Sequence, residues 1–105
     1  MRIIWTKFAS EMLKEVHDFY AEVAGKKLAV KILQDIFDKT ELLLKHPEAG
    51  QIEESLSKLK EGHRYLISGH NKIIYKKVNG VILITDVFDT RQDPSKINDP
   101  KRKNN

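Results

Sequence analysis

The sequence predicts an α+β domain of two layers, a helical hairpin packed on an antiparallel sheet. Two observations carry this. Apolar residues recur at helical spacing over two adjoining segments that meet at Gly25. Further on, Arg64–Arg91 reads as a meander of three strands joined by two tight turns. Helices gathered at one end of the chain, followed by strands at the other, give segregated layers. The predicted order is β-α-α-loop-β-β-β.

The meander is the clearest stretch. Asn79-Gly80 separates KIIYKKV from VILITDVF. Asn-Gly suits a type I′ turn because both central residues need positive φ. Ser68-Gly69-His70-Asn71 makes a second, slightly looser turn. Val81 to Val87 is almost continuously apolar and β-branched, which predicts a strand covered on both faces or central in its sheet. Arg64 opens the meander and Arg91 closes it, so the two guanidinium groups are candidates to meet on a rigid support.

Ahead of the meander, Arg2 to Thr6 is a short apolar strand, and Thr6 or Ser10 starts a helix. After Ser10 the third residue is Leu13, not an acid, so a capping box is incomplete. Met12, Val16, Phe19, Tyr20 and Val23 form the predicted buried stripe, and Gly25 ends the helix with a left-handed backbone. A second helix runs over roughly residues 26–46, with Ala29, Ile32, Leu33, Ile36, Phe37, Leu43 and Leu44 inward. Pro47 ends it, because the residue before a proline is pushed out of helical geometry. Between Pro47 and Gly62 periodicity leaves two options: Ile52, Leu56 and Leu59 face inward from helical turns or from a strand end. Gln92-Asp93-Pro94 breaks the last strand, and Asp99 to Asn105 reads as a frayed polar tail. The domain is therefore residues 1–94, with a polar basic tail over 95–105.

Composition narrows the function. The chain of 105 residues fits one domain and has no cysteine, which excludes disulfides and thiolate metal sites. No apolar run reaches membrane-spanning length and no signal peptide is visible, so a cytoplasmic protein with no membrane partner is expected. Lys101, Arg102 and Lys103 supply three of the four net positive charges, leaving the body at +1. The basic balance belongs to the tail, so net charge does not point to nucleic acid.

Individual residues have plain structural readings. Trp5, Phe19, Tyr20 and Phe37 are expected in the core between hairpin and sheet, since they follow helical stripes and do not interleave with cations. Tyr75 is expected to pack in the sheet with its hydroxyl bonded. His17, His46, His63 and His70 lack ligand spacing, so neither a metal nor another cofactor is expected. Lys26-Lys27 and Lys76-Lys77 read as solvated charges, and Glu53-Glu54 has no obvious partner. Arg64 is either a functional cation or a surface residue paired with Asp86 or Asp89.

Taken in order, several segments resemble one family. A helical hairpin ends in Leu44-Lys45-His46-Pro47-Glu48-Ala49-Gly50. A strand with Gly62-x-Arg64-Tyr65-Leu66 follows, then Lys72-Ile73-Ile74-Tyr75-Lys76, and a last strand ends in Val87-Phe88-Asp89-Thr90-Arg91-Gln92-Asp93-Pro94. This ordered set, from about Ile3 to Pro94, is similar to the RelE/ParE superfamily of toxins from type II toxin–antitoxin modules, also called plasmid stabilisation proteins. The resemblance implies a RelE/ParE-like fold and a growth-inhibiting toxin neutralised by a cognate antitoxin, whose C-terminal segment wraps the groove between hairpin and sheet. Operator DNA would be reached only through the antitoxin, since nothing here resembles a helix-turn-helix with a basic recognition helix.

The superfamily contains two mechanisms. RelE-like members cut mRNA in the ribosomal A site without a metal; ParE-like members poison DNA gyrase and are not known as nucleases. Metal-free RNA cleavage needs a base, an acid and cations for the phosphorane, and each proton-transfer group is worth ~10²–10⁴ in rate. Arg64, Arg91, Lys58 and Lys60 are candidate phosphate clamps, and His63, His70 and Glu61 candidate proton carriers. On the RelE-like reading the catalytic set is Arg64, Arg91 and His63, although adjacent side chains on a strand face opposite ways. RelE-like nucleases carry a histidine or tyrosine near the end of the last strand, and here none follows Tyr75. The resemblance is therefore closer to ParE, a non-enzymatic toxin with gyrase as its target; a ribosome-dependent endoribonuclease acting on mRNA is the alternative.

Overall fold

Thr6 sets the junction between the first strand and the first helix in the computed structural model, which describes residues 1–102. Its amide donates to Ile84 O at 3.0 Å, extending the strand pairing, while its Oγ1 accepts from Ala9 N at 3.0 Å. Of the two candidate caps, Thr6 is the one used. The strand before it is Arg2–Trp5 (β1) and the helix after it is Lys7–Ala24 (α1).

Gly25 alone separates α1 from Lys26–Glu41 (α2), serving as the last cap of one helix and the first of the other. Its φ of 96° and ψ of 157° differ from the left-handed helical cap expected. They lie in an extended, positive-φ region that is essentially reserved for glycine. α2 is shorter than predicted. It passes at Glu41 into a 3₁₀ turn over Leu42–Leu44. The buried Thr40 hydroxyl donates back to Phe37 O at 2.8 Å, a bond that competes with the helical ladder one turn before the change.

The ambiguous stretch resolves into both options. Gln51–Ile52 (β2) is a two-residue strand, and Glu54–Leu59 is a 3₁₀ segment. The meander follows as Arg64–Ser68 (β3), Asn71–Val78 (β4) and Val81–Asp89 (β5). Asn79 and Gly80 both have positive φ, as a type I′ turn requires. The other turn is equally tight: Ser68 pairs with Asn71, and only Gly69 is at positive φ.

The five strands lie in the order β1-β5-β4-β3-β2, with β1 parallel to β5 and the remaining pairs antiparallel. β5 is thus interior, in agreement with its apolar run. Its reading is sharpened by a bulge. Ile74 pairs with Asp86 but Tyr75 pairs with Ile84, so Thr85 is an extra residue in β5. A bulge shifts the alternation of side chains by one. Ile82 and Ile84 face the hairpin before it and Val87 faces the hairpin after it, while Asp86 and Phe88 turn to the other side.

Both faces of the sheet are covered. The hairpin buries Ala9, Ile36 and Leu43 against Ile73, Tyr75, Ile82 and Ile84. On the opposite face Leu56 and Ile97 pack on Ile74 and Phe88. The expected frayed tail has two points of attachment. Pro94–Asn98 and Pro100–Arg102 are 3₁₀ segments, Ile97 is buried and Arg102 bonds Asp86, while residues 98–101 stay exposed. The last part of that predicted tail, residues 103–105, lies outside the described residues.

The aromatic expectation also needs correction. Trp5 meets Phe37 edge to face at 5.7 Å, but Phe37 is exposed, and Phe19 keeps 48% of its surface. Val23 and Leu44, assigned to buried stripes, are exposed as well. Phe19, Val23 and Leu28 all lie near Gly25, so the hairpin tip extends past the core.

Candidate interaction site

Arg64 and Tyr75 pair across β3 and β4, and together they hold the loop that follows α2. The Tyr75 hydroxyl donates to Pro47 O and accepts from Gly50 N, both at 2.9 Å. This is the bonded, buried tyrosine the sequence suggested; burial raises its hydroxyl pKa, so it stays protonated. Arg64 Nη1 donates to Gly50 O at 2.8 Å and reaches Glu48 O at 3.4 Å. Its expected carboxylate partners lie elsewhere: Asp86 bonds Arg102 and Asp89 bonds Arg91. A Cβ on Gly50 would stand 2.6 Å from the Tyr75 hydroxyl and 2.7 Å from Tyr65 O, so only glycine fits. The loop's backbone is turned inward and fixed, while Lys45, His46, Glu48 and Ala49 remain exposed.

His63 is buried beside this loop's strand, with Nε2 3.9 Å from Glu61 Oε2. Glu61 is itself bonded by Lys76 at 2.7 Å, and that hydrogen bond holds its carboxyl below the ordinary value. Lys76 is therefore paired, not simply solvated. Glu53 is also paired, contrary to expectation: it is buried, bonds Lys72 Nζ at 2.7 Å and accepts from Ser55 Oγ at 2.8 Å. Lys58 and Lys60 are exposed at the end of the 3₁₀ segment.

Arg91 lies at the opposite end of the sheet. Arg64 shares its row with Tyr75 and Ile84, whereas Asp89 shares its row with Asn71 and Ser68. The two rows are ~13 Å apart along the strands, and Arg91 lies two residues further on. The meander therefore does not bring Arg64 and Arg91 together, nor does it bring His63 to Arg91. The separation follows from the meander itself: its first and third strands run the same way, so the start of β3 and the end of β5 fall at opposite ends of the sheet.

What Arg91 does meet was not foreseen. Its guanidinium is fastened to Asp89 by bonds of 2.7 and 3.0 Å, lies over the Phe19 ring at 5.8 Å and reaches the Tyr20 hydroxyl at 3.4 Å. The Asp89 hydrogen bond raises the arginine's pKa further, and Asp89 is lowered in return. His70 is at the same end, its carbonyl accepting from Thr90 N at 2.8 Å. No local signal links Tyr20 to Arg91, which are 71 positions apart.

At the Ser68–Gly69 end of β3 lies a groove of about 460 Å³, bounded by Asp35, Asp38 and Leu42 on the hairpin side and by Ile67 and Gly69 on the sheet side. Leu42 and Ile67 are both exposed there. β2 pairs only with Arg64 and Tyr65, so the rest of β3 has no strand on that flank. Among the described residues no group of three His, Cys, Asp or Glu side chains is placed to hold a metal ion, and no helix is long and apolar enough to cross a membrane.

Comparison with known proteins adds to this geometry. A family model described as "ParE toxin of type II toxin-antitoxin system, parDE" matches residues 3–94. Among solved structures, a chain from "Chromosomal ParDE TA system from P. aeruginosa" superposes with a TM-score of 0.71 at 22% identity, covering 85% of this chain and 95% of that one. At that identity the likeness is one of fold. A search of curated proteins finds no match.

Proposed function

Because the chain belongs to the ParE toxin family of type II toxin–antitoxin systems, we propose that it arrests growth by binding a protein target such as DNA gyrase in the cytoplasm, and that a cognate antitoxin neutralises it. The observation that supports binding over catalysis is the dispersal of the nuclease candidates. Arg64 is committed to the carbonyls of Gly50 and Glu48, His63 is buried, and Arg91 sits at the other end of the sheet. Proton carriers and phosphate clamps must share one reacting phosphate to act together.

The antitoxin fits the groove beside Leu42 and Ile67, where exposed apolar side chains adjoin an open strand flank. A segment that folds as it binds can add both apolar contacts and strand hydrogen bonds there. DNA contacts by the complex would come from the antitoxin.

Ribosome-dependent mRNA cleavage is kept as a second reading by one feature: Arg91, the Tyr20 hydroxyl and His70 lie at one exposed end of the sheet. Induction of the chain alone in a bacterial host separates the two. Trapped gyrase–DNA breaks with intact mRNA are expected. Rapid codon-positioned cleavage of translated mRNA, lost in Arg91→Ala, would overturn the gyrase reading.

A further inference from the structure

An arginine from the C-terminal segment is seated on β5 in surroundings that suit a guanidinium and little else. β1 ends opposite Ile84, so from Thr85 onward that flank of β5 has no neighbouring strand. The bulge at Thr85 turns Asp86 and Phe88 to the face away from the hairpin, and Asp86 is fully buried. Arg102 donates from Nε to Asp86 Oδ2 at 2.9 Å and from Nη2 to Oδ1 at 2.6 Å, with Val87 O 3.4 Å from Nη2. The guanidinium carbon lies 4.9 Å from the Phe88 ring centroid and 5.4 Å from that of Phe8.

Each contact selects for arginine. Two parallel N–H bonds to one carboxylate require a planar fork, which an ammonium lacks. Two aromatic rings favour a weakly hydrated, delocalised cation over a compact one. The chain leading to Arg102 has its own anchor: Ile97 is buried against Leu56, Ile74 and Phe88. Ahead of Ile97, Asp93 accepts from Ser95 N at 3.0 Å, and between Ile97 and Arg102, Asp99 accepts from Lys101 N at 2.9 Å, which fixes the two short turns.

We propose that Asp86, Phe8 and Phe88 form a guanidinium pocket, and that Arg102 is the buckle of a strap, residues 94–102, which closes the second core and opens as a unit while the hairpin and sheet stay folded. The inference concerns the chain's own segment and does not depend on the toxin's target.

Hydrogen exchange followed by NMR on the full chain tests it. In the unaltered protein the Arg102 Nε–H should exchange at least ~10-fold more slowly than that of the exposed Arg2, because opening must precede exchange. Equal rates would overturn the pocket. The amides of residues 96, 99 and 102 are bonded to Asp93 O, Lys96 O and Asp99 O. In Arg102→Ala they should exchange ~10–100-fold faster, the loss expected for a charge-assisted bond. Amides of β4 should be unchanged. In Arg102→Ala, ethylguanidinium at ~20 mM should shift the resonances of Phe8, Asp86 and Phe88 by occupying the vacated pocket, and ethylammonium at equal ionic strength should not. Equal action of the two cations, or an Arg102→Lys chain that behaves as the original, would overturn the selectivity. A variant that unfolds throughout would overturn the separate opening of the strap.

Discussion

The Tyr75 hydroxyl and the Gly50 amide are held 2.9 Å apart, with the Gly50 Cα hydrogen turned toward the phenol. The contact joins the middle of the sheet to the loop after α2 and leaves no space for a side chain. Gly50→Ala should therefore destabilise by ~1–3 kcal/mol through forced displacement of the loop. Tyr75→Phe should cost ~1–3 kcal/mol by stranding the Gly50 amide and the Pro47 carbonyl. Urea unfolding of the two single variants and the double variant checks this. Because the sites touch, their effects should not add; strict additivity would show that the contact is not made.

The two arginines that open and close the meander should respond differently to truncation. Arg64→Ala removes a charge-assisted bond to a buried glycine carbonyl and should lower stability by ~1–3 kcal/mol. Arg91 is exposed and bonded to Asp89 two residues away, so Arg91→Ala should leave the unfolding midpoint where it was. A comparison of the two midpoints decides the matter, and equal losses would contradict the assignment of Arg64 as the loop's clamp.

Glu53 gives the fold an acid-sensitive contact. Burial works against its charge, but the hydrogen bonds from Lys72 and Ser55 outweigh burial and hold its carboxyl below the ordinary 4.5. A depressed folded pKa contributes stability that is present above the unfolded value and lost as pH falls through the folded one. Glu53→Gln should cost ~1–3 kcal/mol at pH 7. The gap between the two proteins should narrow as pH falls below about 4.5. A gap that stays constant from neutral to acid pH would rule out the ionised carboxylate as its source.

At Gly25 the penalty for any side chain is conformational. No atom lies within 4 Å of where a Cβ would stand, so space is not the obstacle. Gly25→Ala should cost ~1–3 kcal/mol from the backbone region alone. Gly25→Ser should cost about the same, since the larger side chain meets nothing further. Thermal unfolding of both variants tests the equality; a distinctly worse serine variant would mean that packing contributes.

The hairpin, the meander and the Asn79-Gly80 turn were legible in the sequence because each depends on local chemistry: helical spacing, alternation, and positive φ at a turn. The links between distant segments were not. Nothing near Arg2 announces parallel pairing with Val81, and nothing near Arg102 announces Asp86. The bulge at Thr85 was concealed within an apolar run, since VILITDVF reads the same whether its alternation is broken or both its faces are covered. For the candidate site, Arg64 and Tyr75 were visible as residues, but their role as clamps on Gly50 depends on a loop whose path periodicity left open. Phe19 and Val23 fitted the helical stripe, and spacing alone does not tell where a helix outruns the core beneath it.

The parallel pairing of β1 with β5 also sets an order of events in synthesis. Arg2 and Val81 are separated by about 80 residues of chain, so the sheet's outer strand has no partner until nearly all of the protein exists. At ~5–20 residues per second the interval is ~4–16 s. During that time α1 and α2 can pair locally, but the surface that both layers build together is incomplete. A fragment that ends before β5 lacks the strand that ties β1 to the rest of the sheet, so neither layer is complete until the last strand has been made.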